Sequence, residues 1–175
     1  MTRLTPKRVS AIGERPSKSE VDCCFAANAF DGTRKRFVIS GNQLPPDANS
    51  PWMQIELMKK EFIRRISIWD ASCSCFCSRT CALFITVGNI SCHTPDAPCS
   101  KSLRTEMFSD IEGNQICGKA ATNQVWSLLE CRKKEVNYPI GQFITIHRYS
   151  KHEKKDLGIT EIEIYGQGKK EFREN

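Results

Sequence analysis

The chain has 175 residues, enough to bury a real core within one ordinary domain. Its net charge of +6 comes without a continuous basic face interleaved with aromatics, which argues against nucleic acid as a partner. Its ten cysteines, an even number, suit a disulfide framework in an oxidising compartment, whereas in a reducing one they would more often bind metal.

The chain opens M-T-R-L-T-P-K-R-V-S, basic and polar. It lacks there the apolar stretch of roughly 7–15 residues that marks a secretory signal. Residues 1–8 are expected to form a flexible basic segment. Further on, "PWMQIEL" at 51–57 alternates Ile55 and Leu57 with Gln54 and Glu56, and Trp52 is expected to anchor the core. "FIRRISIW" at 62–69 places Ile66 and Ile68 on one side and Arg65 and Ser67 on the other. "CALFITVG" at 81–88, "VWSLLEC" at 125–131, "GQFITIHRY" at 141–149 and "GITEIEIYG" at 158–166 behave alike. Period-two alternation rich in Ile, Val, Phe and Thr predicts half-buried strands.

Loops dense in Pro, Asn, Asp and Gly separate these runs, among them "SGNQLPPDANSP" at 40–51 and "CHTPDAPCSKS" at 92–102. "KHEKKD" at 151–156 reads as a solvated turn, and 167–175 as a charged tail. No amphipathic helix of useful length stands out, and no apolar run is long enough to span a membrane. Many strands with long polar connections predict an all-β protein, an antiparallel β-sandwich. Asn89-Ile90-Ser91 is a sequon that acts only on a chain in the secretory pathway.

Four cysteines crowd into A-S-C-S-C-F-C-S-R-T-C at 71–81. Structural zinc favours C-x₂₋₄-C pairs, whereas C-x-C-x-C in an extended segment puts three thiols on one face. Cys77, Cys81, Cys92 and His93 could still contribute to an intracellular zinc site. No G-x-S-x-G or H-E-x-x-H signature is present, and Glu161 and Glu163, projecting from one side of the last strand, have no His partner for acid–base work. The protein is therefore expected not to be an enzyme.

The ordered pieces "VSAIGERPSKS" (9–19), "ANAFDG" (27–32), "PWMQIEL" (51–57), "FITVGN" (84–89), "GQFITI" (141–146) and "TEIEIYG" (160–166) resemble the coagulation factor 5/8 type C (discoidin-like) superfamily. The nearest likeness within it is to the F-type lectins, or fucolectins. The resemblance covers residues 9–166 and implies a galactose-binding-domain-like jelly roll of about eight strands, with the chain ends paired. It also implies a non-enzymatic lectin, secreted or extracellular, with glycans or glycoproteins as partners. A discoidin-like adhesion module, binding protein or phospholipid through Phe76 and Leu44 at loop tips, is the alternative.

Three site expectations follow from the resemblance. A structural Ca²⁺ would be held by Asn28, Asp31, Thr33 and Glu161, with Ser40 or Asn42 completing an oxygen shell. Arg79 falls where the family has the second of two fucose-binding arginines. The first is replaced by Ser72 or Asp70. The family histidine is absent, because His93, His147 and His152 all follow the cysteine run. Losing two charge-assisted donors of three should cost about 1.5–3 kcal/mol each. Cys117 and Cys131 match a family bridge. Cys73, Cys75 and Cys77 stand for the family's adjacent cysteine pair, with Cys81, Cys92, Cys99, Cys23 and Cys24 as further disulfide candidates.

Overall fold

A computed structural model describes residues 1–11, 26–32, 37–39, 52–70, 83–91, 115–119, 126–131, 138–148 and 157–167. Nine strands run through them: β1 (Thr2–Leu4), β2 (Pro6–Ala11), β3 (Phe37–Ile39), β4 (Trp52–Asp70), β5 (Leu83–Gly88), β6 (Gln115–Lys119), β7 (Trp126–Glu130), β8 (Ile140–Arg148) and β9 (Leu157–Gly166). A single 3₁₀ turn, Ala26–Phe30, is the only helical element among the described residues. Every strand pairing is antiparallel.

The 19-residue β4 organises the molecule. Its first half lies between β2 and β8, and β5 and β6 extend that sheet beyond β8. Its second half lies between β7 and β9, and β1 and β3 line the far edge of β9. The pairing with β8 shifts register between Glu56 and Glu61, so the strand passes from one sheet to the other across M-K-K-E. A bulge of this kind bends and twists a strand, which allows one strand to serve two layers. The two expected segments, "PWMQIEL" and "FIRRISIW", are thus one continuous strand.

The inward residues follow the predicted alternation, with the parity changing at the register shifts between Ile63 and Arg65 and between Trp69 and Asp70. Ile55, Ile63, Ile66, Ile85, Ile144, Ile146, Ile162 and Ile164 are each fully buried in one core. Each such side chain contributes about 1.5–3 kcal/mol relative to exposure. Ala26 and Ala29 of the 3₁₀ turn join the same core.

Two expectations are corrected. The first eight residues are not a flexible segment: Thr2–Leu4 pair with β9, and β2, beginning at Pro6, pairs with β4. Their charges mislead because an edge strand keeps Arg3, Lys7 and Arg8 outward while its backbone completes the sheet. Lys7 also reaches Glu56 at 2.6 Å. The second correction concerns the polar side of the β4–β8–β5 sheet. Gln54 (1% exposed), Thr145 and Thr86 form one cross-strand row there, and all three are buried. Gln54 Nε2 donates to Thr145 Oγ1 at 2.9 Å and to the Ile90 carbonyl at 3.1 Å, satisfying what burial would otherwise penalise. Trp52 is buried as expected, but in the neighbouring row of this outer face, beside His147, whose ring stacks on Phe84 at 5.6 Å.

Candidate functional site

Glu161 is the most enclosed acidic side chain among the described residues, 5% exposed. Its Oε2 accepts the Gly32 backbone N–H at 3.1 Å. Gly32 has φ of +71°, the left-handed region that a side chain disfavours, so the A-N-A-F-D-G turn can direct its amide at the last strand. The other oxygen, Oε1, accepts from Arg3 Nη2 at 3.3 Å. The same guanidinium reaches Glu163 Oε1 at 3.3 Å through Nη1. Burial pushes the Glu161 carboxyl above the usual carboxylate range. The Gly32 amide and Arg3 oppose that shift, while Asp31 and Glu163 reinforce it.

The structure therefore brings together Asp31, Glu161 and the turn carrying Asn28. Asp31 is exposed and Asn28 half-buried, and the family pattern would have Asn28 offer its backbone carbonyl. Oxygen donors on a tight glycine turn fit calcium chemistry. Among the described residues, however, no three His, Cys, Asp or Glu side chains converge on one point. Thr33 lies outside the described residues, as do Arg79, Cys23, Cys24, Cys73, Cys75, Cys77, Cys81, Cys92, Cys99, Phe76 and Leu44. Arg3, absent from the expected set, is the residue the sequence reading missed. Its partner strand lies 158 residues away, and no local pattern signals that pairing.

Cys117 and Cys131 form a disulfide, joining β6 in one sheet to the end of β7 in the other. The Cys131 amide also donates to the Arg64 carbonyl at 3.0 Å, which fixes the end of β7 against β4.

The outward face of the β7–β4–β9 sheet carries an ordered polar grid. Directly paired residues share a face, and register sets three rows. Arg65, Tyr165 and Arg3 make one row, Leu128, Ser67 and Glu163 the next, and Trp69 with Glu161 the third. The Arg65 guanidinium lies 4.3 Å from the Tyr165 ring centre. The Tyr165 hydroxyl donates to Glu163 Oε2 at 2.7 Å. "FIRRISIW" and "TEIEIY" contain this alternation, but the rows depend on register between distant strands.

Chains of known structure share the fold. The module CpGH89CBM32-5 from Clostridium perfringens, in complex with GalNAc-β-1,3-galactose, superposes with a TM-score of 0.63 over 94% of this chain and all of its own, at 11% identity. The fold is the discoidin-like β-sandwich. An F-type lectin (fucolectin) from striped bass (Morone saxatilis) serum shares the discoidin-like fold with a TM-score of 0.53 and 15% identity, over 91% of this chain. That match spans 46% of the bass lectin chain. The lectin domain of lectinolysin, complexed with Lewis B antigen, has a TM-score of 0.56 and 12% identity, with 93% of this chain and 94% of that one covered. No protein-family model and no curated protein matches the sequence. Among the described residues, no helix of this discoidin-like domain is long and apolar enough to cross a membrane.

Proposed function

We propose that the protein is a non-enzymatic carbohydrate-binding module that recognises glycans or glycoproteins in an extracellular setting. The observation that carries this reading is the discoidin-like fold, shared across 94% of the chain with a module in complex with GalNAc-β-1,3-galactose. The fold alone does not dictate a ligand, and the sites proposed are the residues that match the F-type lectin pattern. Arg79 would donate hydrogen bonds to sugar hydroxyls from the cysteine-rich loop. A calcium ion would be held by Asp31 and Glu161, with carbonyls of Asn28 and Thr33, and would fix the first loop against the last strand. The Cys117–Cys131 disulfide supports an oxidising compartment.

A glycan array tests the reading, run with calcium and with chelator on wild type and Arg79→Ala. The expected result is a calcium-dependent glycan signal that the substitution abolishes. An array with no signal at any protein concentration would overturn it.

A further inference from the structure

We propose that the outward face of the β7–β4–β9 sheet holds a second saccharide-binding site, in a cleft built around Ser67. This inference rests on the carbohydrate-binding reading and extends it to a place away from Arg79.

The cleft has a volume of about 260 Å³ and is lined by Arg65, Ser67, Trp69, Leu128 and Glu163. Its shape follows from the strand register. Ser67 is the small residue at the centre of the face and forms the floor. Arg65 and Trp69 lie two residues before and after it on β4, so their Cα atoms stand about 13 Å apart. Leu128 and Glu163 pair with Ser67 from the flanking strands, about 10 Å from each other. Four large side chains thus surround one short one. The space is smaller than a drug-sized site, and it is open to solvent, which suits one sugar ring of a longer chain.

The lining selects an uncharged, polyhydroxylated ligand. It presents one guanidinium and one carboxylate, so an ion of either sign meets its like charge as well as its partner. A hydroxyl group can donate to Glu163 and accept from Arg65, and it satisfies both. Arg65 Nε is buried with no hydrogen-bond acceptor among the described residues, a donor in want of one. The groups are held in place before any ligand arrives. Tyr165 donates to one oxygen of Glu163 and Arg3 forms an ion pair with the other, and the Tyr165 ring supports the Arg65 guanidinium. Trp69 and Leu128 add apolar surface for the C–H face of a pyranose ring. Leu128 is 41% exposed in mid-strand.

The test uses the full chain, the methyl glycosides of galactose, N-acetylgalactosamine and fucose, and two-dimensional amide spectra, with the Trp69 indole N–H assigned through Trp69→Phe. At sugar concentrations up to roughly 10 mM, at least one glycoside should shift the Trp69 indole signal in wild type and in Arg79→Ala. Glu163→Gln and Leu128→Arg should each weaken that shift about tenfold or more while near-ultraviolet circular dichroism stays that of wild type. A sugar that binds, leaves the Trp69 signal unmoved and is lost on Arg79→Ala would overturn the second site and leave the carbohydrate-binding reading standing. No binding by any of the three would overturn both.

Discussion

Arg3 and Glu161 stand 158 residues apart in the chain and 3.3 Å apart in space. The contact ties the first strand to the last, and Leu4 packs on the core beside it. Arg3 is half-exposed, so water screens the pair. Arg3→Ala should lower stability by about 0.5–1 kcal/mol. Removing residues 1–4 should cost more, because β1 and the Leu4 contact go with it. Urea midpoints compare the three proteins; a truncated chain as stable as wild type would contradict the pairing.

The proposed calcium site predicts that adding calcium raises the thermal midpoint and that chelator reverses the rise. Glu161→Gln should remove the effect, because it deletes the buried charge. Arg3→Ala should strengthen calcium binding, since the guanidinium on Glu161 repels a cation. Calorimetric titration of the three proteins reads both effects, and equal calcium affinity in wild type and Glu161→Gln would place the ion elsewhere or nowhere.

His147 gives the protein an acid-sensitive fold. Burial pushes its imidazole from 6.5 to about 4. The unfolded chain takes up a proton near pH 6.5, and the folded chain refuses it until about pH 4. The stability contributed by neutral His147 is therefore complete above pH 6.5 and lost as pH falls from there toward 4. The slope is at most about 1.4 kcal/mol per pH unit. His147→Gln should flatten the decline between roughly pH 5 and 6.5, where few carboxylates titrate. Denaturation midpoints at the two ends of that window check it.

Gly141 is required by a close passage of strands. A Cβ there would lie 2.5 Å from the Gly88 carbonyl oxygen and 2.8 Å from Val87 Cγ1. The first of these is backbone and cannot swing aside. Gly141→Ala should destabilise by about 1–3 kcal/mol through overpacking. An unchanged urea midpoint would mean that β5 and β8 separate there at no cost.

The Cys117–Cys131 bridge closes a loop with a sequence separation of 14. A loop of that size should contribute about 3 kcal/mol. Replacing both cysteines with alanine should lower the denaturation midpoint accordingly, while non-reducing mass spectrometry confirms the bridge in wild type.

The strands within 62–69, 83–88, 141–148 and 158–166 were legible because apolar residues recur at period two through most of each. The order of motifs also pointed to the discoidin-like fold. Three features were hidden, each for a physical reason. Residues 1–8 looked unfolded because Arg3, Lys7 and Arg8 are charged, yet strand pairing is a backbone property supplied by partners far along the chain. M-K-K-E carries no apolar alternation, so two runs stood apart in the sequence where the backbone of β4 is continuous. Gln54 fell on the polar side of its run yet is buried, because alternation reports polarity and not which face is covered. At the candidate site, the motif singles out Asp31 and Glu161, whereas Arg3 and the Ser67 cleft required the register between strands.

β4 gives the two layers a common spine. Denaturant that frays one layer strips the other of its middle strand as well. Both layers should then come apart in a single step, with a steep transition and no half-melted form exposing a sticky sheet edge.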